Sequence, residues 1–231
     1  MLNLLKLTQK IVIKHFKTKK LYLLFIIIFS FSYHAVALDI DLTIIKQVKE
    51  RFGNKAVARL RYWQTIIRDS KNKTADEQLE IANSFFNQVR FLSDQEHWQR
   101  EDYWATPLEM LVTNGADCED YSIAKYFTLR ELGIPDEKLK ITYVKAVQLN
   151  QAHMILAYYP SPGAEPLILD NLINEILPAS QRPDLIPVYS FNGEGLWLSK
   201  LSSQEGKRIG NANKLESWKD LMTRHNRLFD K

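Results

Sequence analysis

Cysteine occurs once in 231 residues, at Cys118. A single cysteine excludes an internal disulfide and any multi-thiolate zinc site. Histidine is scarce as well: His15, His34, His97, His153 and His225 are the five, and no two stand at a close metal-ligand spacing. There is no EF-hand spacing, internal repeat or low-complexity run. Acid is missing from residues 1–37, which hold six lysines. Beyond them stand 25 basic and 27 acidic residues, a net of −2, so the formal +4 of the whole chain belongs to its start. No basic patch with interleaved aromatics follows, which argues against nucleic acid as a partner.

That start has the order of an export signal. The lysine-rich run precedes the apolar residues 21–32, and Ala35-Val36-Ala37 has the A-x-A form of a cleavage site. The apolar run is shorter than the roughly 20 residues that span a bilayer. The expectation is a secretory signal over 1–37 and a mature protein over 38–231 forming a single two-lobed domain, with an uncleaved anchor as the alternative. No lipobox cysteine is present, which excludes lipid anchoring at the N-terminus. A free thiol in an oxidising compartment is a liability unless it is used or hidden.

With 45% hydrophobic and 11% aromatic residues, the chain can bury one substantial core or two small lobes. From 39 to about 103 the pattern is helical. Leu42, Ile45 and Val48 recur at helical spacing before Gly53 breaks the run. Val57, Leu60, Trp63 and Ile67 mark a second helix, and Thr74-Ala75-Asp76-Glu77 reads as a capping box opening a third. An aromatic link around Tyr103-Trp104 either lines a cleft or packs one lobe on the other. Gly115-Ala116-Asp117-Cys118-Glu119-Asp120-Tyr121 then opens a helix that stops at Gly133-Ile134-Pro135. After Pro135 come strands near 140–147, 152–159 and 166–171, read as an antiparallel meander, with shorter ones at 186–191 and 195–198. Residues 178–187 and 202–213 read as exposed connections, and the C-terminal segment as an amphipathic helix. Helices followed by an antiparallel sheet make the fold class α+β.

Cysteine chemistry on amides needs a thiolate, a base beside it and a group that orients the base. Cys118 sits where a helix N-terminus favours a thiolate and can hold an oxyanion. His15 and His34 leave with the signal, His97 lies in the aromatic link and His225 on the terminal helix. His153 alone begins an apolar strand, and Asp170 ends the neighbouring one. Antiparallel pairing can bring such positions together. The expected set is therefore Cys118 as nucleophile, His153 as general base and acid, and Asp170 as orienting carboxylate. The Cys118 N–H is one oxyanion donor, and Trp98, Gln99 and Trp104 are candidates for the second. Asp117, Glu119 and Asp120 crowd the thiol and oppose its ionisation. They either cap the helix start or bind a hard cation that offsets their charge.

These segments, with Tyr103-Trp104-Ala105-Thr106-Pro107 upstream, resemble the bacterial transglutaminase-like cysteine peptidases, and within them the periplasmic LapG-type proteases. The resemblance covers roughly residues 40–200. It implies a papain/transglutaminase-like fold, with an N-terminal helical lobe and the catalytic helix packed on an antiparallel sheet. It also implies a periplasmic, calcium-dependent cysteine endopeptidase with Ca²⁺ on acids matching Asp117 and Glu119, Asp120 being a ligand or a cap. The implied substrate is the N-terminal region of a large surface adhesin, cut to release cells from a biofilm. The implied partner is the periplasmic domain of an inner-membrane cyclic-di-GMP receptor that sequesters the protease. Two other classes remain open on the residues alone. A transglutaminase or other amine acyltransferase could use the same three side chains, and a non-catalytic binding module would leave Cys118 inert.

Overall fold

The computed structural model describes residues 40–198 and 206–229. The expected export signal and its cleavage site lie outside them. The first helix, α1 (Leu42–Ser70), starts where the Asp41 side chain accepts the Thr43 N–H at 2.6 Å. Gly53 interrupts it at φ 79°, ψ −178°, a backbone region open essentially to glycine alone. The sequence break there is thus a kink between two helical stretches. Beyond it Val57, Leu60, Trp63 and Ile67 point into the core. Helix α2 (Ala75–Phe86) begins with the expected reciprocal cap between Thr74 and Glu77.

Three short elements follow that the hydrophobic pattern does not announce. Strand β1 (Arg90–Phe91) pairs in parallel with β2 (Gly115–Ala116), and the one-turn helix α3 (Asp94–His97) sits between them in the chain. Helix α4 (Pro107–Thr113) has proline in its first turn and is capped by Thr106, whose Oγ accepts the Glu109 N–H at 3.2 Å. It ends at Asn114 in the left-handed region, φ 57°.

Helix α5 (Cys118–Glu131) is buried on nearly every side, as a central helix must be when it has neighbours all round. Several of its polar groups are matched to those neighbours. Trp63 Nε1 donates to Thr128 Oγ1 at 2.9 Å, Tyr121 OH to the Val89 carbonyl at 2.6 Å, and Tyr126 OH to Asp136. Gly133, at φ 98°, turns the chain out of the helix.

The sheet on which α5 packs runs β3 (Leu139–Ala146), β4 (Gln151–Tyr158), β5 (Leu167–Leu169), β6 (Leu177–Pro178), β7 (Leu185–Phe191), β8 (Leu196–Leu198) and β9 (Lys207–Gly210) in the chain. In space the order is β6-β5-β4-β3-β7-β8-β9, every pair antiparallel. The arrangement is mixed helix and antiparallel sheet, as the pattern predicts, but it is not a simple meander: after β6 the chain crosses back to add β7 on the far side of β3. Two tracts expected as exposed connections also differ. Residues 207–210 form an edge strand, and residues 178–187 enclose a single 3₁₀ turn (Ala179–Gln181) followed by the buried Arg182. A guanidinium gripped by carboxylates can be buried where an unpaired one cannot. Helix α6 (Glu216–Phe229) closes the sheet, with Trp218 against Phe191, Phe127 and Tyr126. No described helix is long and apolar enough to cross a membrane.

Alanine at position 53 would have to occupy the glycine-only conformation or straighten the kink. Gly53→Ala is expected to lower the unfolding free energy by about 1–3 kcal/mol, read from urea denaturation; an unchanged midpoint would show that α1 tolerates a continuous helix.

Candidate active site

The start of α5 and the start of β4 meet at a cavity of about 450 Å³ whose lining includes Trp104, Cys118, Glu119, Tyr143, His153 and Met154. Strand pairing sets the histidine. His153 stands opposite Val144 on β3, and Leu156 opposite Leu169 on β5, so Asp170 follows the last paired residue and lies diagonally across from His153. His153 Nε2 and Asp170 Oδ1 are 2.7 Å apart, with both residues almost fully buried. That contact leaves Nδ1 as the ring nitrogen able to exchange a proton at the cavity. The other described histidines lie elsewhere. His97 Nε2 is 2.9 Å from Thr113 Oγ1, and His225, lowered to about 4 by burial, stacks on Phe127; neither lines the cavity.

Asp170 is held from several sides. Its Oδ1 also accepts the Leu172 N–H at 3.0 Å, its Oδ2 meets Arg182 Nη2 at 2.7 Å, and its carbonyl accepts from Asn87 of α2 at 2.8 Å. Burial alone would raise this carboxyl, but the hydrogen bonds from His153, Leu172 and Arg182 bring it down to about 2. It is ionised at any working pH.

The Cys118 end has the opposite balance. Cys118 Sγ donates to Glu119 Oε2 at 3.2 Å, and burial together with the Glu119 charge pushes the thiol well up. Burial and mutual repulsion raise Asp117 to about 10, and burial chiefly raises Asp94 to about 6. Asp94, Asp117 and Glu119 each offer a carboxylate oxygen within 4.8 Å of the others. One oxygen of Asp94 and one of Asp117 are buried without a hydrogen-bond partner. The third member of the group is therefore Asp94, not Asp120. Asp120 is completely buried and uses its two oxygens on the N–H groups of Ala105, at 2.6 Å, and Asp117, at 3.4 Å. It ties the aromatic link to the start of α5, which is the capping role.

Asp94 is 23 positions from Asp117, and nothing in that spacing signals a shared site. The β1–β2 pairing, which aligns Arg90 with Gly115 and Phe91 with Ala116, brings α3 beside the start of α5. Gly115 is small by necessity, since a β-carbon there would stand 2.7 Å from Leu92 Cδ1 and 2.8 Å from His97 Cε1. The aromatic link serves both roles open to it. Trp104 lines the cavity, donates through Nε1 to Asp102 at 3.0 Å, and stacks on Phe191 with centroids 5.4 Å apart. The opposite wall, from Lys214 to Ser217, is tied across by Ser217 Oγ to Asp102 at 2.8 Å, and Arg224 of α6 donates to the Trp104 carbonyl at 2.6 Å.

A family model described as bacterial transglutaminase-like cysteine proteinase matches residues 57–199 of this chain. Among solved structures, Legionella pneumophila LapG is 45% identical to it, covering 80% of this chain and 97% of its own, with a TM-score of 0.69. The calcium-bound form of that protein covers 80% and 99% at 45% identity with a TM-score of 0.68, and the EGTA-treated form has a TM-score of 0.70. No curated protein sequence matches significantly.

Behind the thiol, on the same face of α5, Lys125 is 1% exposed, and burial lowers it to about 7 although Asp170 opposes the shift. Above that pH it is neutral when folded and still charged when unfolded, up to about pH 10.4. Folding then releases a proton, so stability from this group rises with pH across the window. Relative to Lys125→Met, the wild-type unfolding free energy is expected to gain up to about 1.4 kcal/mol per pH unit between about pH 7 and 10, measured by urea titration at several pH values. A difference that stays flat would show that the ammonium keeps its charge in the fold.

Proposed function

This chain belongs to the bacterial transglutaminase-like cysteine proteinase family, has its papain-type fold and is a cysteine protease, and on that premise we propose that Cys118 is the nucleophile, His153 the general base and acid, and Asp170 the carboxylate that orients it. The observation that carries this reading is the buried 2.7 Å contact of Asp170 with His153 at a cavity that also holds Cys118. Asp170 fixes the imidazole with its Nε2–H pointing away from the cavity and stabilises the imidazolium. His153 Nδ1 takes the Cys118 proton, and the thiolate adds to a peptide carbonyl. The Cys118 backbone N–H, at the positive end of α5, holds the oxyanion. His153 returns the proton to the leaving amine. It then takes one from a water that attacks the thioester, which releases the acid and restores the thiol.

The acids beside the thiol fit a hard divalent cation. The donors are all carboxylate oxygens, two of them buried with no other partner, and Ca²⁺ takes about 6–8 oxygens with main-chain and water oxygens completing the set. Asp94, Asp117 and Glu119 would hold it. When bound it supplies positive charge against carboxylates that otherwise keep Cys118 protonated. Similarity to a protein solved in calcium-bound and EGTA-treated forms supports calcium as that ion.

The finer reading follows the resemblance to LapG-type proteases. The protein works in the periplasm after removal of residues 1–37, cuts the N-terminal region of a large surface adhesin and so governs release from a biofilm. The periplasmic domain of an inner-membrane cyclic-di-GMP receptor sequesters it. Incubating the purified protein with N-terminal adhesin fragments, with and without Ca²⁺, tests substrate and metal together.

Cys118→Ala and His153→Ala are each expected to lower kcat by about 10⁴-fold or more, and Asp170→Ala by less; a His153→Ala protein cutting at the wild-type rate would overturn the assignment. Ca²⁺ is expected to raise the thermal midpoint of the wild type but not of Asp117→Asn. Chelator is expected to stop cleavage in the wild type. A midpoint indifferent to Ca²⁺ would remove the cation from the reading.

A further inference from the structure

Asp170 divides its two oxygens between two donors. Oδ1 faces His153 Nε2 and Oδ2 faces Arg182 Nη2, each at 2.7 Å. Arg182 is 3% exposed. It is gripped from behind by Asp184, whose oxygens meet its Nε at 3.0 Å and its Nη2 at 2.9 Å. A carboxyl this deeply buried would otherwise tend to hold a proton, and a protonated Asp170 would be free to donate where it must accept. The second cation facing it, Lys125 of α5, is equally buried and is the kind of group that gives up its charge under such conditions. A guanidinium does not. Its planar fork also fixes direction: with Oδ2 engaged by Arg182, Oδ1 is the oxygen presented to the imidazole.

We propose that Arg182 is a positioning residue of the protease, a buried guanidinium clamped by Asp184 that keeps Asp170 ionised and its Oδ1 directed at His153 Nε2–H. It acts through Asp170 and His153 and touches no reacting atom. The inference rests on the catalytic assignment above. The alternative is that Arg182 only stitches the segment before β7 to the sheet; that role would alter stability and leave the imidazole unchanged.

The test uses the full chain in calcium-containing buffer and three variants, Arg182→Gln, Arg182→Lys and Asp184→Asn. Turnover is measured on an N-terminal adhesin fragment. In parallel, the Nε2-bound ring proton of His153 is followed by NMR on ¹⁵N-histidine-labelled protein and assigned by its loss in His153→Gln. Arg182→Gln is expected to lower kcat by about tenfold to a hundredfold, by analogy with the loss of outer partners of metal-ligating histidines, with KM unchanged and the ring proton shifted upfield or lost to exchange. Arg182→Lys is expected to restore part of both, because it returns the charge without the fork. Asp184→Asn keeps the charge but loosens the clamp, so a smaller change in the same direction is expected; it carries the test if Arg182→Gln does not fold. A folded Arg182→Gln or Asp184→Asn with unchanged kcat and an unchanged His153 proton overturns the proposal. Absent turnover in the wild type would instead sink the adhesin reading, while the ring proton would still report on Arg182.

Discussion

Carboxyl groups held out of water are the constraint around which this molecule is built. Asp94, Asp117, Glu119 and Asp120 gather at the start of α5, three of them buried and the fourth half-buried, next to the Cys118 thiol. Further along, Asp170 is buried at the end of β5. The two places resolve the same difficulty in different ways. At Asp170 the compensation is internal, with His153, Leu172 N–H and Arg182 converging on one carboxylate and holding it ionised. At the helix start Asp120 uses both oxygens on protein donors and Asp94 accepts the Tyr103 N–H, but one oxygen of Asp94 and one of Asp117 are buried without a partner. Burial and the neighbouring acids push Asp117 up, and burial with the Glu119 charge pushes the Cys118 thiol up, so this end lacks the compensation that Asp170 has.

The rest of the fold supplies the stiffness this needs. Helix α5 is surrounded, and its side-chain hydroxyls are tied outward to α1, to the turn before β1 and to the loop after β7. Helix α2 reaches the carbonyl of Asp170 through Asn87 and that of Asn174 through Asn83. The helical lobe is thus more than a cover for the sheet: it fixes the backbone from which the Asp170 carboxylate hangs. The C-terminal helix does the same for the cavity wall, where Arg224 joins Glu109, Asp220 and the Trp104 carbonyl. A site assembled from α5, β4 and the ends of neighbouring segments keeps its geometry only if those segments cannot slide.

Where local pattern and burial agree, the chain could be read directly. The helix cap at Thr74, the break at Gly53 and the stop at Gly133 all follow from the conformational needs of single residues. So does the choice of His153 among the histidines, because an imidazole on an apolar strand needs a partner, and Asp170 is similarly out of place. What escaped was non-local. Strand β9 and the 3₁₀ turn before Arg182 look like loop because two- to four-residue elements carry too few positions to show a period. The crossing of the chain from β6 to β7 leaves no mark in either strand.

Residue type and short-range spacing by themselves determined an α+β chain with one candidate thiol at a helix start, one strand histidine and one strand-end aspartate. Only the tertiary structure decided which acids share a site with that thiol and which cation stands behind the aspartate. Asp94 joins Asp117 and Glu119 through a two-residue parallel pairing, and Arg182 reaches Asp170 from a segment that reads as surface loop. The physical reason is that a charged side chain carries no periodic signal of its own burial. Whether it is solvated or enclosed depends on the partners that distant parts of the chain bring to it.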